Sequence, residues 1–393
     1  MSYYLERAAD SMNAMFPTLP WSVGLSLNGQ SASFGTGPQK AEIACKKEGP
    51  LRELAGLRLS RFLDRYVEGE CEFKGDIYSI VGVKNHLKRD ADWKVGLFRS
   101  VQYVGSRIFP SSVRRKLVSV SSHYDLPNEF IESYLDTRTK AYSCAMWKDP
   151  DNISEPDDES LEDAQHRKFF NAAKELEIQE TDKFLDIGCG YGYQVNLAET
   201  EFGCKNALGI TLSQNQVENG FSKNIKRIHY LDLPTDASYD KIYTCGMVSH
   251  LDRSELTRYY KQVYGLLKSG GRFWMHGIIP RRNDYGMDNY NSLSGTFSQK
   301  YIFPDHYQFP LDMHLQAMEE LGFRIRKVYY RYGHYAKTLR HWYRRYLETL
   351  PQTRHLITPT IERAWHLYLT FASVIDGQGA NEAIIKQILA EKP

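Results

Sequence analysis

Residues 184–194 read FLDIGCGYGYQ, with three glycines inside five positions directly after an apolar run that contains an aspartate. The run predicts a strand, Lys183 to Ile187, that turns sharply at Gly188, Gly190 and Gly192, so that backbone N–H groups approach a ligand with no Cβ in the way. The chain then alternates through strand NALGITLS, helix QNQVENGFSKN, strand DKIYTCGM, a further helix and strand GRFWMHGII. Alternation at that spacing implies an α/β fold with a doubly wound, mostly parallel sheet and its ligand at the carboxyl ends of the strands.

The residues after the glycines separate two ligands. A dinucleotide fold carries G-x-G-x-x-G and an acidic residue about twenty positions on for the ribose. Here the spacing is G-x-G-x-G, and the second strand ends in Thr211-Leu212-Ser213 with no acid. Asp186, just before the first glycine, is placed to reach an ammonium or to orient the loop, which suits S-adenosylmethionine better than a pyrophosphate. The remaining alternative is a turn that merely closes a βα corner.

The rest of the chain narrows the class. Its 393 residues suggest a large domain plus a small one, and 42% apolar with 25% charged residues describes a globular protein with a core. A net charge of +2 argues against nucleic acid as the partner. The six cysteines, Cys45, Cys71, Cys144, Cys189, Cys204 and Cys245, form no CxxC pair, so a reducing compartment and no metal site are expected. MSYYLERAADSMNAMF lacks the order of a signal peptide, and no apolar run approaches about eighteen residues. A cytoplasmic protein is expected, any membrane contact being peripheral.

A small α+β domain is expected over 1–108, from WSVGLSLNG and ASFGTG as strands, LRELAGLRLSRFLDRYVEG as helix and CEFKGDIYSIVGV as a strand or helix start. Residues 109–393 form the larger domain with a helical C-terminal extension. From SSHYDLPNEFIESYLD the chain reads as helical, and KDPDNISEPDDES as a surface loop before a helix capped near Ser160.

HYDLPNEF, AYSCAMW, SLEDAQHRKF, FLDIGCGYG, GITLSQNQ, KYIFP and YAKTLRHW, in this order, resemble the landmarks of the cyclopropane fatty acid synthase and mycolic acid cyclopropane synthase family of methyltransferases. YVEGECEFKGD resembles the end of the lipid-associated N-terminal domain of the longer synthases. The resemblance runs from about residue 20 to 350. It implies a Rossmann-like S-adenosylmethionine-dependent methyltransferase domain acting on phospholipid acyl chains at the inner membrane surface, and leaves a homodimer open. Carried over, Tyr142, Ser143, Asp186, the three glycines, Thr211, Leu212 and Gln216 surround the cofactor, with Tyr230 and Leu231 near the adenine.

The implied chemistry is demanding. An acyl double bond is a feeble nucleophile, so the methyl sulfonium has to be held in line with it in a dry site. Aromatic faces stabilise the resulting carbocation, and a base removes a proton from the added methyl to close the ring. In the family that base is thought to be bicarbonate, and the residues that grip it correspond here to Cys144, Ser249, His276, Ile278 and Tyr335. The family reads GMFEH or close to it where this chain reads GMVSH, so the hydroxyl of Ser249 stands in place of a carboxylate. Bicarbonate is then bound more weakly, held with the help of His250, or absent.

Three readings stay open: a lipid methyltransferase that closes a cyclopropane or stops at a methyl or methylene branch, a methyltransferase of a small metabolite, and a non-catalytic protein that binds cofactor and lipid. FPDHYQFP after Tyr301, where the family commonly has glycines, alters the substrate entrance. Residues 329–346, rich in aromatics and cations with no acid, read as a lipid-facing surface or as a helix packed through its aromatic side.

Overall fold

The structure, a computed structural model, describes residues 2–86, 126–152, 159–279, 297–298, 300–303, 307–377 and 384–393. The expected domain boundary at 108/109 lies outside them, as do parts of HYDLPNEF, KDPDNISEPDDES, KYIFP and FPDHYQFP. The chain forms two compact units: Met1–Pro127 with Tyr290–Pro304 and Thr349–Ala380, and Asn128–Asn289 with Asp305–Glu348 and Asn381–Pro393.

The first unit holds α1 (Tyr3–Met15), β1 (Ser22–Leu27), β2 (Gln30–Gly35), β3 (Gln39–Cys45), α2 (Glu48–Ala55), α3 (Leu59–Val67), β4 (Cys71–Gly75) and α4 (Ile77–Val81). Its sheet runs β2-β1-β3-β4. The β1–β2 hairpin turns on Asn28 and Gly29, both at positive φ, the conformation an Asn-Gly pair adopts in a two-residue turn. The two strands and the helical stretch expected here are present.

The second unit carries the seven-stranded sheet. In chain order it has α5 (Asn128–Glu132), α6 (Leu161–Leu176), β5 (Lys183–Ile187), α7 (Tyr193–Thr200), β6 (Asn206–Thr211), α8 (Gln214–Glu218), β7 (Ile225–Arg227), β8 (Tyr239–Cys245), α9 (Arg253–Leu266), β9 (Leu267–Ile279), α10 (Leu311–Glu320), β10 (Arg324–Arg331), α11 (His334–Thr353) and β11 (Ile384–Glu391). The strand order is β10-β11-β9-β8-β5-β6-β7. β7, β6, β5, β8 and β9 pair in parallel, and β11 slots antiparallel between β9 and β10. This is the mostly parallel α/β sheet expected. Leu185 and Ile187 pack on the α9 side, whereas Phe184 packs on the α6 and α7 side, so β5 is buried on both faces.

Several local expectations hold. β5 has the predicted bounds, and the Ser160 side chain caps α6 by accepting from the Asp163 N–H. The helix expected over QNQVENGFSKN stops at Glu218, and the chain passes Gln216 O and Ile225 at Gly220, where a Cβ would come within 2.8 and 2.4 Å of them. Only α5 is helical between residues 126 and 152, and the segment after it runs through turns and bends with no regular element. The C-terminal helix α12 (Pro359–Gly377) packs on α3 and α4 in the first unit, whereas the sequence reading places it in the larger domain. Among the described residues no helix is long and apolar enough to cross a membrane, and no His, Cys, Asp and Glu group could hold a metal ion.

Candidate active site

The loop after β5 has the backbone its glycines foretell. Gly188, Gly190 and Gly192 lie at φ +76°, +56° and +75°, in the left-handed region that other residues enter only at a cost. A Cβ on Gly190 would meet nothing within 4 Å, so the loop leaves open space there, whereas one on Gly192 would strike Ile225 at 2.3 Å. The N–H groups of Gly188 and Cys189 both donate to Ile210 O, which pins the loop to β6. Beyond β6, the Thr211 hydroxyl and Gln216 Oε1 lie 2.5 Å apart, so the hydroxyl donates to the amide oxygen and leaves the Gln216 nitrogen to donate elsewhere. Leu212 is substantially exposed, and Leu231 packs partly buried in the turn that also holds Tyr230. Tyr230 itself is buried, edge-on to Tyr259 and stacked near His229, so its ring is part of the core beneath the strand ends.

Asp186 is buried at the end of β5, on the same side of the sheet as Phe184. Burial pushes its carboxyl well above the usual range, and the Lys168 ammonium pulls the other way. Lys168 is itself 1% exposed and donates to Ser143 Oγ at 2.7 Å and Gln165 Oε1 at 2.6 Å.

Residues 141–147 are clamped from two sides. From α6, Gln165 Nε2 donates to Ser143 O, Arg167 donates to Met146 O, and Met146 N donates to Ala164 O. From α11, Thr338 Oγ1 accepts from Ala145 N and from Trp147 Nε1, while His334 Nδ1 accepts from Trp147 N. Three of the sequence landmarks, AYSCAMW, SLEDAQHRKF and YAKTLRHW, are therefore one interlocked unit. Arg345 closes it with a bidentate pair to Glu162 at 2.9 and 2.7 Å.

The clamp sets the reaction side. Cys144, Met146 and Ile385 form a small apolar cluster against which Ile278 and Tyr335 pack, so three of the anticipated base-gripping residues meet. His276 and Ser249 are joined through the backbone: Gly246 N donates to His276 O, and Ser249 N donates to Gly246 O. Both are buried, and Ser249 Oγ and His276 Nε2 have no hydrogen-bond partner among the described residues. His276 Nδ1 faces Gln387 Nε2 at 3.1 Å. Burial, with Lys168, His334 and Arg331 nearby, drives the His276 pKa well below its ordinary value, so the ring is neutral. His250 sits half-buried in the same single turn as Ser249. Tyr142 packs its ring on Trp342 and Tyr134.

The match to known proteins decides the family. The model of the mycolic acid cyclopropane synthetase family matches residues 111–383. The chain belongs to that family. It is 29% identical to a probable fatty acid methyltransferase of Pseudomonas putida over 377 residues, 93% of this chain and 90% of that protein. With the cyclopropane-fatty-acyl-phospholipid synthase of Escherichia coli K12 it shares 28% over 320 residues, 78% of this chain and 76% of the other. With sphingolipid C9-methyltransferase 1 of Gibberella zeae it shares 26%, over 82% of this chain and 63% of that protein. In three dimensions it superposes on mycolic acid cyclopropane synthase CmaA1 complexed with SAH and CTAB at a TM-score of 0.62 and 25% identity, covering 70% of this chain and 98% of that one.

The protein is thus an S-adenosylmethionine-dependent methyltransferase of this family. The site fits that cofactor: the loop opens space at Gly190, and a Thr–Gln pair capable of meeting ribose hydroxyls stands at the next strand end. Five residues of the site escape the sequence reading. Gln165 and Lys168 lie inside SLEDAQHRKF, and their signal is periodicity: with Leu161, Ala164 and Ala172 they fall on the buried stripe of α6, where polar side chains need partners. Thr338, Gln387 and Arg331 have no such signal, because their partners lie far away in sequence. The aromatic side of α11 is core, with Trp342 and Tyr346 buried beside Tyr134 and Phe130. The exposed aromatics of 329–346 are fewer, Tyr330 at 49% among them, stacked on Tyr332.

Proposed function

We propose that this protein methylates a carbon–carbon double bond in the acyl chain of a lipid. The observation that carries the reading is the joint placement of Cys144, Ile278 and Tyr335 in one apolar cluster, with buried His276 and Ser249, each holding an unpartnered polar atom among the described residues, at the carboxyl ends of β9 and β8 beside the β5 end that carries the glycine loop. S-adenosylmethionine supplies an electrophilic methyl on sulfur. Gly188, Gly190, Gly192, Thr211 and Gln216 would hold it, with Tyr142 and Ser143 beside them and Tyr230 and Leu231 toward the adenine. The alkene π pair forms the new C–C bond while the S–CH3 bond breaks toward sulfur, leaving positive charge on the neighbouring chain carbon. The ring of Tyr335, packed against the Cys144 cluster, is the aromatic group that would offer itself to that charge. For ring closure a base takes a proton from the added methyl, and the freed C–H pair makes the third carbon–carbon bond. In the cyclopropane reading Cys144, Ser249, His276, Ile278 and Tyr335 would hold a bicarbonate ion, which would supply the base that accepts this proton.

A second reading is favoured by one specific observation. Ser249 offers a single hydroxyl where a carboxylate would accept strongly from the O–H of a bicarbonate, and neutral His276 adds no positive charge to hold an anion, so such a base is fixed less firmly here. Loss of a proton to water from the chain carbon next to the cation then restores a double bond and leaves a methyl branch. The names of the Pseudomonas putida and Gibberella zeae relatives, both methyltransferases, support that outcome for a chain of this kind. A membrane surface as the working place is supported by the exposed, stacked Tyr330–Tyr332 pair on β10 and the turn after it, where Lys386 lies 5.5 Å from the Tyr330 ring.

The test is mass spectrometry of total lipids from a host expressing the protein and fed methyl-labelled methionine. Label retained as CH2 with one double bond consumed gives the cyclopropane, and label retained as CH3 gives the branch. Absence of label from all lipids would overturn the lipid reading and direct the search to small metabolites.

A further inference from the structure

His276 reaches the site through a hydrogen-bond relay that starts on the far edge of the sheet. Arg331 Nε donates to Gln387 Oε1 at 2.8 Å, and the other end of the same amide faces His276 Nδ1 at 3.1 Å. Register makes this possible: β11 runs antiparallel beside β9 with Gln387 directly opposite His276, and on β10 Arg331 stands two residues past Tyr329, the partner of Gln387, on the same face. Gln387 and His276 are each 2% exposed, so water does not substitute for either contact.

The chemistry of the three groups leaves one arrangement. A guanidinium has no lone pair to offer, so the Gln387 atom that meets Arg331 must be the amide oxygen. The amide nitrogen therefore meets His276, and since it can only donate, Nδ1 must accept. Met146 Sδ, 3.6 Å from the same nitrogen, is an acceptor too and agrees with that orientation. The ring proton is left on Nε2, the atom with no partner among the described residues.

We propose that Gln387 and Arg331 are positioning residues which hold His276 as a neutral imidazole with its proton on Nε2, a hydrogen-bond donor into the site and not the base that takes a proton from substrate. The charged and titratable groups around it agree. Lys168 on α6, Arg331 on β10 and His334 at the start of α11 are all cationic or neutral, and together with burial they oppose a second proton on the ring. Nothing in that set would draw the proton to Nδ1. The donor calls for an oxygen lone pair on whatever occupies the site beside Ser249. The role assigned to His276 rests on the methyltransferase reaction proposed above, but the tautomer does not, and the two fail separately.

The experiment is nitrogen-15 NMR of the histidine rings in the full-length protein without substrate, His276 being assigned by the signal lost in His276→Gln. The expected result is an acceptor-type shift for Nδ1 and a protonated-type shift for Nε2, both unchanged between about pH 6 and 8. A protonated Nδ1, or titration of the ring within that range, would overturn the proposal. Gln387→Glu supplies the second arm: its carboxylate accepts from Nδ1–H, so the two shifts should exchange character. Methyl transfer by that variant should fall at least about tenfold in kcat while the Kd for S-adenosylmethionine stays within about twofold of wild type. Exchanged shifts with undiminished kcat would show that the donor is not used and would equally overturn the positioning role.

Discussion

The glycine loop and the Thr211–Gln216 pair of the proposed cofactor side come from one continuous stretch, residues 184–216, in which each strand end hands the chain to the next turn. The proposed reaction side collects Cys144, Ser249, His276, Tyr335 and Gln387 from five separate segments, joined by the small apolar cluster, the Gln387–His276 contact and the backbone bonds through Gly246. The first is shaped by backbone conformation, three glycines at positive φ. The second is shaped by hydrogen bonds between side chains distant in sequence. A lesion in the first should therefore act on the ligand and largely spare the fold, whereas one in the second should act through whatever the lost group was holding.

The widest separation between the two is expected at Gly190→Leu. The Cβ has open space in the protein, so the fold bears only the left-handed strain of about 1–2 kcal/mol, while the side chain occupies the space where the cofactor would lie. Binding of S-adenosylmethionine, read by calorimetry, should weaken at least about 100-fold, equivalent to about 3 kcal/mol. Gly192→Ala is the control from the same loop. There the Cβ meets Ile225, so the melting temperature should fall with the affinity, and a Gly192 variant of unchanged stability would contradict the packing described.

Thr338→Val tests the other side. Valine keeps the shape and removes the oxygen that accepts from Ala145 N and Trp147 Nε1. Two buried donors lose their acceptor, at about 1–3 kcal/mol each, and residues 141–147 loosen. Thermal melting should show a clear loss of stability, and kcat should drop more than cofactor affinity, the reverse of the Gly190 variant. Equal losses in both would mean that the clamp serves the cofactor as much as the reaction.

The same contrast explains what the sequence discloses. β5 and its turn are readable to the residue because an apolar run and its glycines are local signals, and the Ser160 cap is readable for the same reason. α1 escapes, since two of the four residues on its buried stripe, Ala8 and Ala9, are alanines and carry little hydrophobic contrast. β7 is three residues long and offers no period at all. β10 escapes because RIRKVYYR is an edge strand with mostly polar exposure, and IIKQILAE carries Lys386 and Gln387 in an otherwise apolar strand. The second of those interruptions is one the site uses: the residue that orients His276 is polar at a position where strand burial asks for an apolar one. Cys144, Ile278 and Tyr335 are placed by family resemblance, and no spacing rule alone would join them.

Ser249→Glu probes the reaction side without dismantling it. A carboxylate at this position restores the family pattern, and the variant should raise the proportion of labelled lipid that carries CH2 over CH3. An unchanged product ratio would mean that the proton acceptor is set elsewhere in the pocket. The added carboxylate can accept from the O–H of bicarbonate, so the variant should also bind that ion more tightly than wild type, and a loss of fold with no such gain would count against the assignment.

The smallest effect is expected where the clamp meets solvent, at the Glu162–Arg345 pair. Burial alone would raise the Glu162 carboxyl, but the Arg345 guanidinium and the Thr137 N–H hold it down at about 2. A carboxyl depressed in the folded state contributes stability above its unfolded pKa of about 4.3 and loses it as the pH falls from there toward 2. The side chain is 23% exposed, so screening limits the contribution to on the order of 1–2 kcal/mol. Melting temperatures of the wild type should therefore drop between about pH 4.5 and 2, and Glu162→Gln should lower stability at neutral pH while flattening that slope. Since the pair ties α6 to α11 and touches neither the glycine loop nor His276, cofactor affinity at neutral pH should be unaffected. A parallel acid slope in wild type and variant would place the clamp's strength in Thr338 and Lys168 instead, making it a device of hydrogen bonds to which the ion pair adds nothing measurable.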